Sequence, residues 1–434
     1  MGADLQSKQE KIMSTHFIII TLFLSIILVL VLLSPTFAFI PTIIAAHQRQ
    51  RNNIHEMSRR VAFINTGILS STFGGTRILQ QSAFAASDEG RINNGSSSSG
   101  SRGTIIYQPL TINVDGVEVP VAAWYQSKTS DIGGRQGGST NTSYKHRISI
   151  SKIGKNLAGW KLPSFIDRNF SLRPSSNNVQ EVSPSSNNLL TSAGDNVRVV
   201  LLCHGYLGSR FDLSHLGEDL ASEGFVVLSP EYPESLAASY DATMSNSGIP
   251  IDRTIITSRL LQVLTNQWNI QPSAYGIVGH SLGCGTVDRT GNESWTRVCI
   301  AGGYPSLRGP NCLFIGSIND GAVSISRAVD TLQQYNFASL DEQMVRLQSW
   351  GEKLPPRSAL IFNNPSNAPN HISFLAEGTN DAMVGFLSPL LPLARTLGIP
   401  VLDFDKYQVS RDSRVTAGVV NPLVVEYMKQ MMNV

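Results

Sequence analysis

Apolar and polar positions change their period along the chain. TIIYQPLTINV and VEVPVAAWYQ alternate at period two around Asp115-Gly116, a pair suited to a tight two-residue turn, so they predict a β-hairpin starting near Thr104. Residues 127–196 then form a polar insertion containing GGRQGGSTNTS and two copies of PSSNN. Repeats of that kind mark a surface loop, here with one predicted strand, HRISISKI, and an amphipathic patch, LAGWKLPSFI. From Val197 the pattern becomes strand, helix, strand. VRVVLL, FVVL and YGIV are short apolar, β-branched runs, separated by FDLSHLGEDLASEG and DRTIITSRLLQVLTNQW, whose apolar residues recur three and four apart. Further strands are predicted at 298–301, 313–316, 359–363 and 401–404, a helical insertion over 324–354, and a terminal helix at LVVEYMKQMM. Strands alternating with helices of this length pair in parallel through right-handed crossovers. The expected fold class is therefore α/β, a mostly parallel sheet flanked by helices, spanning 104–434.

Upstream of that body the composition is different. Residues 17–33, FIIITLFLSIILVLVLL, fall just short of the ~20 apolar residues of a membrane span and end at SPTFA, which predicts a signal peptide over 1–38 cut after Ala38. An uncleaved membrane anchor is the other reading, and secretion the other destination. Residues 39–86 are rich in arginine and poor in acids, the composition of a transit-type presequence. A signal peptide followed by Phe39 and such a stretch resembles the two-part presequence of algal plastids enclosed by extra membranes. Within it Ser58-Arg59-Arg60-Val61-Ala62-Phe63 resembles a twin-arginine export motif, with an A-x-A cleavage at Ala83 and Ala85, so that 58–85 would direct the chain to the thylakoid lumen. Residues 87–103, ending in GSSSSGSRG, are a linker.

Charge follows the same division. The chain carries Lys+Arg 34 against Asp+Glu 32, a net +2. Residues 1–86 hold seven bases and three acids, so the remaining 27 bases and 29 acids give the body a net −2. That excludes nucleic-acid binding of the basic-surface type. The four cysteines show neither CxxC pairing nor small-scaffold spacing, which argues against a zinc site and a disulfide-built fold. Cys203, Cys299 and Cys312, in or beside predicted strands, read as small buried hydrophobes, and Cys284 as an unactivated thiol near the chemistry described next; whether any pair is oxidised stays open.

The chemistry centres on Gly279-His280-Ser281-Leu282-Gly283, which joins the YGIV strand to a helix. G-x-S-x-G in that setting is a nucleophile elbow: the turn is too tight for side chains beside the serine, and the strained backbone lifts the hydroxyl off the sheet. A serine hydroxyl needs a base to take its proton, and the base needs an acid to fix its tautomer. In the order Ser, acid, His, the only histidine left is His371, in a loop after the 359–363 strand. Asp320, behind the strand LFIGSIN, precedes His371; Asp381 shares the Asn-Asp context but follows it and is the rival acid. Asp288 reads as a surface residue. The developing oxyanion needs backbone donors. Leu282 N–H should supply one and Tyr206 N–H, in Cys203-His204-Gly205-Tyr206-Leu207-Gly208, the other. His204 and His280 read as structural props.

With these residues in view the chain resembles the α/β-hydrolase superfamily, and within it the platelet-activating-factor acetylhydrolases, over roughly 104–434. The pieces that carry the resemblance are VAAWYQ, HGYLGSRFDLSHLGEDLASEGFVVLSPEYPES, GHSLGCGT and NHISF. In that family the acid follows the strand directly after the nucleophile helix; here that strand ends in Ala301-Gly302-Gly303 without a carboxylate, so the acid is expected one strand later, at Asp320. The resemblance implies a serine hydrolase of carboxylic esters, of lipid-like type, with no metal or organic cofactor. Its partners would be a small-molecule or lipid ester and, through the 324–354 insertion, a membrane surface. Chlorophyllases are a second resemblance, through their His-Gly and GHSxG stretches, although their elbow carries a basic residue where this chain has Leu282. A non-catalytic binding protein on the same fold is the rival from another class.

Overall fold

The computed structural model describes residues 103–127, 142–149, 152, 167–182, 196–235, 237, 251–302, 308–325, 336–339, 354–381 and 412–433. The predicted signal peptide, transit-type and twin-arginine segments, the linker except Gly103, the amphipathic patch, the 401–404 strand and most of the 324–354 insertion lie outside them.

The hairpin forms as β1 (Ile105–Val114) and β2 (Val117–Gln126). Its turn needs positive φ at both central residues, and Asp115 (48°) with Gly116 (84°) supplies it. Both copies of the alternation are buried deeper than a half-exposed hairpin requires, because β2 joins the main sheet antiparallel to β7 (Phe225–Pro230). Beyond β7 come β6 (Arg198–Cys203), β8 (Ala274–His280), β9 (Thr296–Ile300), β10 (Cys312–Ser317), β12 (Ser358–Phe362) and β11 (Asn336–Ser339), every pairing parallel. β5 (Val179–Glu181) adds itself in parallel to β1, completing a ten-stranded sheet.

Both faces of this sheet are buried, as its continuous apolar strands require. Along β6, Val199, Leu201 and Cys203 enter one core with Ile256, Leu260 and Leu264 of α2 (Arg253–Asn266) and Val287 of α3 (Gly283–Arg289). Val200 and Leu202 enter the other, with Leu216 and Leu220 of α1 (Ser214–Ser222) and Val420, Leu423 and Tyr427 of α4 (Ser413–Met431). Among the described residues no helix is long and apolar enough to cross a membrane.

Three expectations need correction. The polar insertion is not loop throughout: β3 (Tyr144–Ile148) and β4 (Arg168–Leu172) pair as a separate antiparallel sheet, and the first PSSNN leads through a turn into β5. The strand read at HRISISKI starts earlier and stops at Ile148, where Tyr144 anchors it: its hydroxyl accepts from Trp124 Nε1 at 3.0 Å and donates to Glu218 at 2.7 Å. The insertion read as helical contains β11, whose backbone pairs with β12 from Asn336↔Ser358 to Ser339↔Ile361.

The oxidation state of the cysteines, left open by the sequence, is given by the fold. Cys284 and Cys299 form a disulfide with 15 residues of separation, while Cys203 and Cys312 are free and buried. The register explains the pairing, since Cys299 lies opposite Gly279 and α3 folds back over that glycine. A loop of this size gives about 3 kcal/mol on chain-entropy grounds. The C284A/C299A protein is therefore expected to lose about that much in a urea titration. Alkylation of the unfolded wild type should modify two thiols before reduction and four after; four in both cases would remove the bond.

Candidate active site

Ser281 sits between β8 and α3 at φ +55°, left-handed backbone that costs a non-glycine residue about 1–2 kcal/mol. Its amide is held by Ile300 O at 2.9 Å and its carbonyl by Cys284 N at 3.0 Å. The flanking glycines are forced by space. A Cβ on Gly279 would come within 2.5 Å of the Gly283 backbone, and one on Gly283 within 2.1 Å of Cys203 O. The elbow thus presses against both its own helix and the start of the loop after β6.

Asp320 and His371 are brought together. His371 Nδ1 is 3.0 Å from both carboxylate oxygens of Asp320. A carboxylate only accepts, so Nδ1 carries the proton and Nε2 is left to act as base. Asp320 Oδ1 is itself fixed by the amides of Ala322 (3.0 Å) and Val323 (2.7 Å). The base loop is clamped by the end of β10: Ser317 Oγ donates to Pro369 O at 2.5 Å, and Asn319 Nδ2 to Pro365 O and Ala368 O at 2.9 and 3.1 Å. Asn370 caps the short 3-10 turn His371–Phe374, accepting from Ile372 N and Ser373 N. The rival acid, Asp381, is exposed on a helical turn. Asp288 offers its backbone oxygen to Arg308.

The two histidines read as props both make backbone contacts. His280 Nε2 donates to His371 O at 3.0 Å, and the two rings lie 4.7 Å apart, so His280 ties the elbow to the base loop. Burial, and then the neighbouring His371, push the His280 pKa down to about 3, which keeps it neutral. His204 Nδ1 donates to Gly205 O at 2.8 Å and its Nε2 accepts from Tyr232 N at 2.9 Å. Among the described residues the Ser281 hydroxyl makes no hydrogen bond, and the amides of Tyr206 and Leu282 donate to nothing. Those two residues are 43% and 38% exposed, placing apolar surface beside the open donors.

Ser317, Asn319 and His280 are missing from the residues predicted for the site. Ser317-Ile318-Asn319-Asp320 carries a signal, polar residues at the end of an entirely buried strand and just after it; the carbonyl acceptor of His280 carries none. Among the described residues no group of three or more His, Cys, Asp or Glu side chains is placed to hold a metal ion.

The profile of the family "Platelet-activating factor acetylhydrolase, isoform II" matches residues 175–257, from the turn before β5 to the first turn of α2. The matched stretch contains the loop with Tyr206 but not Ser281, Asp320 or His371. No curated protein sequence matches. Among solved structures the chain is similar to a ferulic acid esterase from Streptomyces cinnamoneus (15% identity, 77% of this chain and 92% of that one, TM-score 0.35) and to a Pyrococcus furiosus esterase (10%, 75% and 93%, 0.35). A dienelactone hydrolase-like promiscuous phosphotriesterase from metagenomic libraries gives 15% identity, 75% and 99% coverage and a TM-score of 0.33. The α/β-hydrolase fold is read from the sheet order and the strand–serine–helix elbow themselves.

Proposed function

We propose that this chain is a serine hydrolase of carboxylic esters. The observation that carries the reading is the Asp320–His371 pair, with Nδ1 protonated, on the loop that His280 binds to the Ser281 elbow. In this reading Ser281 attacks the ester carbonyl, His371 Nε2 takes the hydroxyl proton and returns it to the leaving alcohol, and Asp320 holds the ring and balances its charge. The Tyr206 and Leu282 amides receive the oxyanion. Water then hydrolyses the acyl-enzyme with His371 as base.

The exposed apolar side chains of Tyr206 and Leu282 favour an apolar, lipid-like ester over a sugar or peptide substrate and provide a surface that can meet a membrane. The phytyl ester of chlorophyll is the second reading, on the same apolar rim and the plastid-type leader. A fluorophosphonate probe on the protein lacking residues 1–103 is expected to label Ser281 stoichiometrically. A panel of short-chain, phospholipid, galactolipid and chlorophyll esters then assigns the substrate. No labelling and no turnover of any ester overturns the enzyme reading in favour of a binding protein on the same fold. Import of the fused leader into isolated plastids tests the address separately.

A further inference from the structure

We propose that Arg253 is a positioning residue for the oxyanion site, acting on the peptide that joins Gly205 to Tyr206; the proposal rests on the ester-hydrolase reading above. Arg253 opens α2, far from the elbow in sequence, and is 3% exposed. Its Nη1 donates to His204 O at 2.8 Å and its Nη2 to Gly205 O at 3.3 Å, while Nε is paired with Glu234 at 3.1 Å. The guanidinium carbon sits over Tyr232, 4.5 Å from the ring centre, and Tyr232 N is the donor that fixes His204. One buried side chain thus holds two consecutive carbonyls of the loop after β6.

The chemical consequence follows from peptide planarity. Gly205 O belongs to the same peptide as Tyr206 N–H, and in a trans peptide the two point in opposite directions. That carbonyl accepts from Arg253 Nη2, His204 Nδ1 and Gly208 N (3.3 Å), so turning the peptide over would break three hydrogen bonds. The carbonyl is pinned on the protein side, and the amide is left open on the other. Donors on the carbonyl, one of them charged, also polarise the peptide and strengthen its N–H as a donor. Gly205 lets this peptide lie close to the elbow, because a Cβ there would stand 3.1 Å from Ser281 Cβ.

A group that acts through one oxyanion donor should change the binding of tetrahedral oxyanions and leave other affinities alone. In R253M, which keeps the packing over Tyr232 and removes the donors, kcat on a p-nitrophenyl ester is expected to fall about 100-fold, the size associated with one lost donor, with KM within twofold. The Ki of a trifluoromethyl ketone, which binds as its serine adduct with an oxyanion, should rise by the same factor. The Ki of the corresponding alcohol should not change, and R253K should recover part of both losses by keeping a buried cation. If R253M does not fold, R253K alone carries the comparison, with a smaller ketone-specific loss expected. Unchanged kcat, or equal losses for ketone and alcohol, overturns the proposal. A wild type that neither turns over ester nor binds the ketone instead overturns the ester-hydrolase reading on which it rests.

Discussion

Replacing Ser281 with alanine is expected to lower kcat by roughly a million-fold and to abolish fluorophosphonate labelling, the scale seen when a serine nucleophile of a triad is removed. The fold should be unaffected, because alanine adopts the +55° backbone at the same steric cost as serine and the elbow's hydrogen bonds are made by its backbone. Glycine separates chemistry from strain more sharply. S281G should be equally inactive and more stable than the wild type by about 1 kcal/mol, since glycine carries no penalty in left-handed backbone. A gain of stability on loss of the nucleophile is the mark of a position held in strain for its function. S281A with wild-type turnover, or S281G less stable than S281A, would contradict the elbow as described. Both variants need only a p-nitrophenyl ester assay and a urea titration.

The second large effect separates the two carboxylates. Asp320→Asn should reduce kcat by about 10⁴-fold, and the reason is local. The amides of Ala322 and Val323 both donate to Oδ1, so the asparagine oxygen must take that position and its NH2 must take the other. The NH2 then stands 3.0 Å from His371 Nδ1, where it competes as a donor with the ring N–H for the retained oxygen, favours the tautomer with the proton on Nε2, and removes the charge that balances the imidazolium. Asp381→Asn should change kcat less than about twofold, since that carboxylate is exposed and Nδ1 of His371 is already bonded to Asp320. Loss of turnover in D381N with retention in D320N would reverse the assignment. The D320N protein should still fold, because asparagine keeps the acceptor that caps the 320–323 turn.

The parts of the fold that could be read in the sequence are those where one residue type alone satisfies the backbone. Asp115-Gly116 fixes the hairpin because both positions need positive φ, and the glycines flanking Ser281 are legible because nothing larger fits. His371 and Asp320 could be ordered by the mechanism without knowing where either lies. β11 could not be recognised: its surrounding sequence has helical spacing, and its strand state comes from hydrogen bonds to the exposed edge of β12, a partner set by tertiary structure. The disulfide was equally hidden, since residues 284 and 299 meet only through the β8–β9 register and the return of α3 over Gly279. Arg253 looked like the first residue of an ordinary amphipathic helix. Its acceptors are carbonyls, which every residue has, so no spacing marks them.

The Cys284–Cys299 bond ties the biosynthesis of the protein to its chemistry. Both cysteines are fully enclosed, and Gly302 closes over them so tightly that a Cβ there would stand 2.3 Å from Cys284 Sγ. Thiol–disulfide exchange requires a thiolate to reach the sulfur, and the finished sheet gives it no path. The oxidation state is therefore decided while α3 is still settling onto the strands and is retained afterwards, whatever the later surroundings. Two batches of identical sequence, one matured among reduced glutathione and one in an oxidising lumen, would be distinct molecules differing by one covalent bond beside the elbow. For this chain the compartment of folding is part of the covalent structure.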